Sequence, residues 1–397
     1  MNRAALTEFA GRFGESRIGV ASLAVTLTFL ICALLAPLIS PTDPYDLSRL
    51  QLIDALKPMG SHQVVPGEEF RASFAVEDGV AVAQGDAHGL AAQSCGDACL
   101  EVRLDAETPL ASLQVRTLPA GASVEGASKH PVQNWWTVNT PAGNSVRIVS
   151  DAPLPETFNF SVIARSDDQP TDLVFHLGTD GFGRDMLSAI LYGIRISVFV
   201  GVVAAGSAMV IGTGLGLFAA WRGGATDALI MRAVDFMLSF PAILVGLAIL
   251  AVLGSGVGKV ILAVVLVQWC YYARTSRSLA LSELNKEYVE AARGLRLPAW
   301  RIMARHVLPN CMPQIIVLFT LNIAAAISLE SSLSFLGVGL PLTQPSLGML
   351  IANGYEYIFS QKYWISFGPG IVLLVMIVAM NLLGDRLRDV TNPRFER

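Results

Sequence analysis

Cys95 and Cys99 bracket Gly-Asp-Ala, a spacing that serves two chemistries. One is a local disulfide, which needs an oxidising compartment. The other is half of a metal site, which needs further thiolate or imidazole ligands. His88 and His130 are the nearest imidazoles, and their spacing matches no zinc pattern. The disulfide Cys95–Cys99 is the expectation, and no metal ligands are assigned. Cys32, Cys270 and Cys311 lie in or beside apolar runs and read as packing residues.

Catalytic sets are sparse. The five histidines form no HExxH, so a membrane zinc protease lacks its ligands. No GxSxG elbow occurs. Gly254-Ser255-Gly256-Val257-Gly258-Lys259-Val260 approaches a phosphate loop, but its glycines are one residue too close and Val260 replaces the hydroxyl. No catalytic residue is assigned. Work powered by ATP would need another chain to bind the nucleotide.

The informative segment is a basic stretch between apolar runs. It reads Lys286-Glu287-Tyr288-Val289-Glu290-Ala291-Ala292-Arg293-Gly294 and continues past Pro298 and Trp300 to Leu308-Pro309-Asn310. Residues 281–293 hold no Gly or Pro, and Leu284, Tyr288, Ala291 or Ala292, and Leu295 recur at helical spacing. Gly294 and Pro298 are stop signals. The pattern predicts a short amphipathic helix with small residues near its end. Ala291 and Ala292 permit close backbone approach, and Glu290 can accept hydrogen bonds at a rim. Such a helix suits a groove on a cytoplasmic partner. It equally suits an anionic lipid surface, which the arginines favour.

The elements that position this segment are membrane spans. Only 15% of residues are charged, against about 25% in soluble domains, and mean hydropathy is +0.52. That balance disfavours a soluble enzyme and excludes a disordered or nucleic-acid-coating chain. Apolar runs predict six spans, at 18–39, 196–221, 229–254, 257–273, 312–330 and 367–384. Sixteen Lys and Arg fall in the termini and loops on one side, against Lys259 and Lys362 on the other. The positive side is cytoplasmic. The cytoplasmic pieces are then 1–17, the loop 274–311 and 385–397, with both termini inside. Residues 40–175 form an extracytoplasmic insertion, followed by a segment 176–195, and 331–366 is an external loop. Residues 40–185 carry 9 basic and 20 acidic side chains, as a water-facing block would. Short alternating runs at 100–104, 136–138, 145–149 and 158–163 predict a β-rich domain there. The fold class is an all-α polytopic membrane protein with an inserted, β-rich extracytoplasmic domain.

The spans carry further signals. Gly212 and Gly216 form a GxxxG, which serves either packing within the chain or a dimer face. Pro241 kinks or interrupts the third span, as a hinge or a tolerated bend. Asn322 and Glu330 are polar at membrane depth. Each either lines a translocation path or hydrogen-bonds between helices.

Glu290-Ala291-Ala292 with Leu308-Pro309 downstream resembles the EAA loop of bacterial ABC-importer permeases. His176-Leu177-Gly178-Thr179-Asp180-Gly181-Phe182-Gly183-Arg184-Asp185 resembles the C-type permease subunit of dipeptide, oligopeptide and nickel importers. So do Ser239-Phe240-Pro241, residues 330–337 from Glu330 to Gly337, and Asn381-Leu382-Leu383-Gly384-Asp385 leading to Asn392-Pro393-Arg394. The resemblance implies an inner-membrane subunit for uptake of peptides or related small solutes. It implies a second homologous permease, two cytoplasmic ATPase subunits holding ATP and Mg, and an extracytoplasmic substrate-binding protein. No cofactor sits on this chain, and no nucleic acid is a partner. Tyr288, Glu290, Ala291, Ala292, Gly294, Leu308 and Pro309 are the expected ATPase-coupling residues. Two features depart from the family. Its glycine six positions after the motif glutamate is here Arg296, with Gly294 two residues earlier, and typical members lack the large insertion. The competing reading is a non-importer membrane complex subunit or scaffold that presents the external domain.

Overall fold

The computed structural model describes residues 11–391, apart from 46–53, 66–67, 78–79, 85–88, 97, 105–109, 131–133, 140–143, 167 and 342. His88 and the 392–394 motif lie outside the described residues. The chain divides into two compact units, one built from 1–61 with 175–397 and the other from 62–174.

The first unit is helical. Helix α1 (Arg17–Ile39) is capped by Ser16, whose hydroxyl accepts from the Gly19 amide at 3.1 Å. Helix α2 (Met186–Arg222) starts ten residues before the predicted span. Hydropathy marks only the hydrocarbon crossing, whereas the helix continues to its cap at Asp185, which accepts from the Ser188 amide at 2.9 Å. The 176–185 motif builds that entry: Asp180 accepts from the Phe182 and Arg184 amides and pairs with the buried Arg184 guanidinium at 2.7 Å. Gly178 has φ +75°, and a Cβ there would crowd the Lys57 carbonyl and Trp364.

The predicted third span is not one helix. It is α3 (Gly224–Leu238) and α4 (Ala242–Leu253), which meet at 90°. Pro241 supplies no N–H at the break and stands as the cap of α4. Helix α5 (Val257–Leu284) packs on α2 through the GxxxG. A Cβ on Gly212 would overlap the Trp269 carbonyl, and one on Gly216 would overlap Ser276 and the Ala273 carbonyl. These glycines serve packing within the chain.

Helix α6 (Glu287–Gly294) follows after a break, so the predicted continuous helix over 281–293 is two elements. Asn285 ends α5 with φ −92° and ψ 4°, and Lys286 is extended. Asparagine competes for local backbone hydrogen bonds and so favours such ends. Helix α7 (Ala299–Phe335) contains a π turn at Met303–Val307. Helix α8 (Leu347–Tyr355) folds back from the predicted external loop, burying Leu347 and Leu350 against Met186 and Ile365. Helix α9 (Trp364–Thr391) completes the unit. Five of these helices are long and apolar enough to cross a membrane, and the bent pair α3–α4 makes up to six.

The second unit is all-β among the described residues. Its strands are β1 (Ser61–Val65), β2 (Glu69–Glu77), β3 (Val80–Ala83), β4 (Leu90–Gly96), β5 (Cys99–Leu104) and β6 (Leu110–Arg116). They continue as β7 (Ala122–Val124), β8 (Ser128–Lys129), β9 (Trp135–Asn139), β10 (Ser145–Ser150), β11 (Thr157–Ser166) and β12 (Gln169–Phe175). Six strands run in the order β3-β2-β11-β6-β9-β8 and four in the order β4-β5-β10-β7, all antiparallel, while β1 pairs with β12. The four alternating runs of the sequence are β5, β9, β10 and β11. Alternation turns Leu100, Val102, Ile148, Leu113, Phe160 and Val162 into one core between the two larger sheets. Cys95 and Cys99 are disulfide-bonded across the β4–β5 turn.

Candidate functional site: the helix between two spans

Helix α6 has one face against its own chain and one face outward. Val289 and Ala292 are buried with Leu284, Ile302 and Val307. Glu287, Glu290 and Ala291 are exposed. The two alanines therefore differ. Ala292 is a core residue of this chain, and Ala291 is the small residue on the outward face.

Tyr288, in the first turn of the helix, ties it to both neighbouring spans. Its hydroxyl donates to Glu283 Oε2 at 2.6 Å, on α5, and accepts from Asn310 Nδ2 at 3.1 Å, on α7. Lys286 Nζ contacts the other oxygen of Glu283 at 2.6 Å. Burial and the Glu283 carboxylate push the Tyr288 phenol up to about 12, so it remains a donor at neutral pH.

The turn after α6 is a Schellman motif. The Leu297 amide donates to the Ala292 carbonyl at 3.3 Å and the Arg296 amide to the Arg293 carbonyl at 2.9 Å. The left-handed residue is Arg296, with φ +56°. Gly294 is still helical, and a Cβ on it would meet nothing within 4 Å. Gly294 is thus not the turn residue. The need for φ > 0 falls six positions after Glu290, where glycine would be unstrained.

Leu308 packs against the same cluster as Ala292. Pro309 lies inside α7 directly after the π turn and supplies no N–H to the helix ladder. Sequence reading leaves two residues beside α6 out of the coupling set: Leu295 is 75% exposed and Trp300 67%. Leu295 reads as part of the helical register and Trp300 only as part of the segment; large apolar side chains beside the stop signals Gly294 and Pro298 are the available signal.

Asn322 and Glu330 are both buried inside the helical unit. Glu330 accepts from Ser197 on α2 at 3.1 Å and from Ser334 at 2.8 Å. The Asn322 amide donates to the Leu318 carbonyl at 2.8 Å, and Gln268 on α5 donates to the Asn322 carbonyl at 3.0 Å. These bonds are the helix–helix hydrogen bonding that is one of the two roles open to each residue; the Gln268 bond is to the backbone carbonyl of Asn322.

The fold and this helix define a multi-pass membrane protein with a short, outward-facing helix between two spans. Residues 212–397 match the family described as "Binding-protein-dependent transport system inner membrane component", and residues 6–58 match the "N-terminal TM domain of oligopeptide transport permease C". A putative peptide transport system permease protein of Brucella suis is 40% identical over 228 residues, covering 57% of this chain and 76% of the relative. A di/tripeptide transport system permease protein of Pseudomonas aeruginosa is 37% identical, covering 56% and 73%. An inward-facing methionine ABC transporter structure aligns with 17% identity and a TM-score of 0.44, covering 52% of this chain and 98% of that one. The chain belongs to the family of inner-membrane permease components of binding-protein-dependent transport systems, a transport component rather than a catalyst. The two family matches leave residues 59–211 uncovered, which include all twelve strands.

Proposed function

We propose that this chain is one permease subunit of an ATP-driven importer for peptides or related small solutes. The observation that carries this reading is α6, a short helix with Glu290 and Ala291 outward, flanked by exposed Leu295 and Trp300. Its relatives are named as peptide permeases. The chain forms half of a translocation path with a second homologous permease. Two cytoplasmic ATPase subunits hold ATP and Mg, and an extracytoplasmic binding protein delivers the solute. Both termini are cytoplasmic, and the β unit is extracytoplasmic.

Closure of the ATPase pair displaces α6. Tyr288 is bonded to Glu283 and Asn310, so the displacement reaches α5 and α7 together. Access then switches because ATPase contacts differ between the two states. The test is capture of an ATPase by the tagged full chain from native membranes, followed by reconstitution in vesicles. ATP-dependent accumulation of a labelled peptide is expected. Uptake that proceeds without ATP, or capture without any ATPase, would remove the reading.

A further inference from the structure

A groove of about 640 Å³ opens between α1 and α2. Its walls are apolar and outward: Leu34 is 78% exposed, and Phe199 and Val203 stand opposite it. One end is polar, formed by Tyr45, Arg195 and Gln344. This end lies where the spans stop. Tyr45 follows α1, and Arg195 is the last charge before the uncharged run 196–221. Val203 is eight residues further along α2, roughly 12 Å deeper at 1.5 Å per residue. The groove therefore has a polar head and an apolar shaft, in the orientation of a lipid.

One observation asks for a ligand at the head. No described residue forms an ion pair or hydrogen bond with the exposed Arg195 side chain. A guanidinium at the hydrocarbon edge favours an anion, and its planar fork matches phosphate. A phospholipid supplies that phosphate, and its acyl chains supply the apolar filling of the shaft.

We propose that this groove binds one bilayer phospholipid. Its phosphate lies on Arg195, and an acyl chain runs along Leu34, Phe199 and Val203. The test uses the full chain in mild detergent, titrated with phosphatidylglycerol and read by native mass spectrometry. Arg195→Ala should weaken retention about tenfold, and Arg195→Lys less, since lysine keeps the charge but loses the fork. Diacylglycerol with the same chains lacks the phosphate and should bind wild type no better than phosphatidylglycerol binds Arg195→Ala. Equal retention of the two lipids, or no loss in Arg195→Ala, would overturn the proposal. A photoreactive group at Phe199 gives a second reading in intact membranes that needs no change at the head. Cross-linking to phospholipid supports the site. Cross-linking to a polypeptide would hand the groove to a protein helix and overturn it.

Discussion

The Tyr288 hydroxyl donates to the Glu283 carboxylate at 2.6 Å, tying α6 to the end of α5 across the break at Asn285. Without this bond and its continuation to Asn310, a helix of eight residues would hang on two flexible joints. Isolated helices of that length are marginal in water, so tertiary contacts must hold α6 in place.

Tyr288→Phe should therefore loosen α6 by about 0.5–1.5 kcal/mol, the worth of an ordinary hydrogen bond. Amide exchange should rise several-fold at 287–294, with insertion into the membrane unchanged. The phenol's pKa lies above its ordinary value of 10, so the bond is fully present below pH 10 and fades as pH rises through about 12. Unchanged exchange in the mutant would show that Val289 and Ala292 hold the helix unaided.

Ala291 and Ala292 should respond oppositely to bulk. Ala292→Trp overpacks the chain's own core, at a cost of about 1–3 kcal/mol, and should lower the thermal midpoint of the isolated subunit. Ala291→Trp should leave that midpoint alone and reduce ATPase copurification about tenfold. A lipid-surface helix would instead tolerate or favour tryptophan at Ala291. Matching effects of the two substitutions would contradict the burial difference.

The turn after α6 predicts a stabilising substitution. Arg296→Gly removes left-handed strain of roughly 1 kcal/mol and should raise the thermal midpoint. Gly294→Ala should also be neutral or stabilising, by up to about 1 kcal/mol, because the position is helical and open. A clear loss of stability in Gly294→Ala would mean that the turn starts there after all.

Glu330 separates packing from transport. Glu330→Ala leaves Ser197 and Ser334 without their acceptor and opens a void, a combined cost of roughly 2–5 kcal/mol. Glu330→Gln keeps an acceptor and should retain both expression and uptake. Loss of uptake in a well-folded Glu330→Gln protein would place the residue on the transport path.

Orientation is testable with thiol probes after Cys32, Cys270 and Cys311 are replaced. A cysteine at exposed Ser128 on β8 should react with an impermeant maleimide on intact cells, and one at exposed Ser282 should not. Ser346 is a poor probe despite its loop position, since it is buried and caps α8 through the Met349 amide at 3.3 Å. Reaction at Ser282 from outside would invert the topology and remove the cytoplasmic docking role of α6.

Hydropathy, charge placement and alternation are properties of neighbours along the chain, so the sequence alone determined the apolar spans, the positive side and the β character of the insertion. It also located the α6 segment, because Glu290-Ala291-Ala292 and Leu308-Pro309 are local patterns. Periodicity says which residues share a face, but not what covers that face. Only the tertiary structure decided that Ala292 turns inward to Ile302 and Val307 while Ala291 turns out. The same holds for Gly212 and Gly216, whose partner is α5, and for Glu330, which is bonded by one serine 133 residues away on α2 and another 4 residues away on its own helix. The break at Asn285 and the 90° bend before Pro241 also lay beyond local reading. Breaker residues mark where a helix can stop, and packing on both sides sets where and at what angle it does.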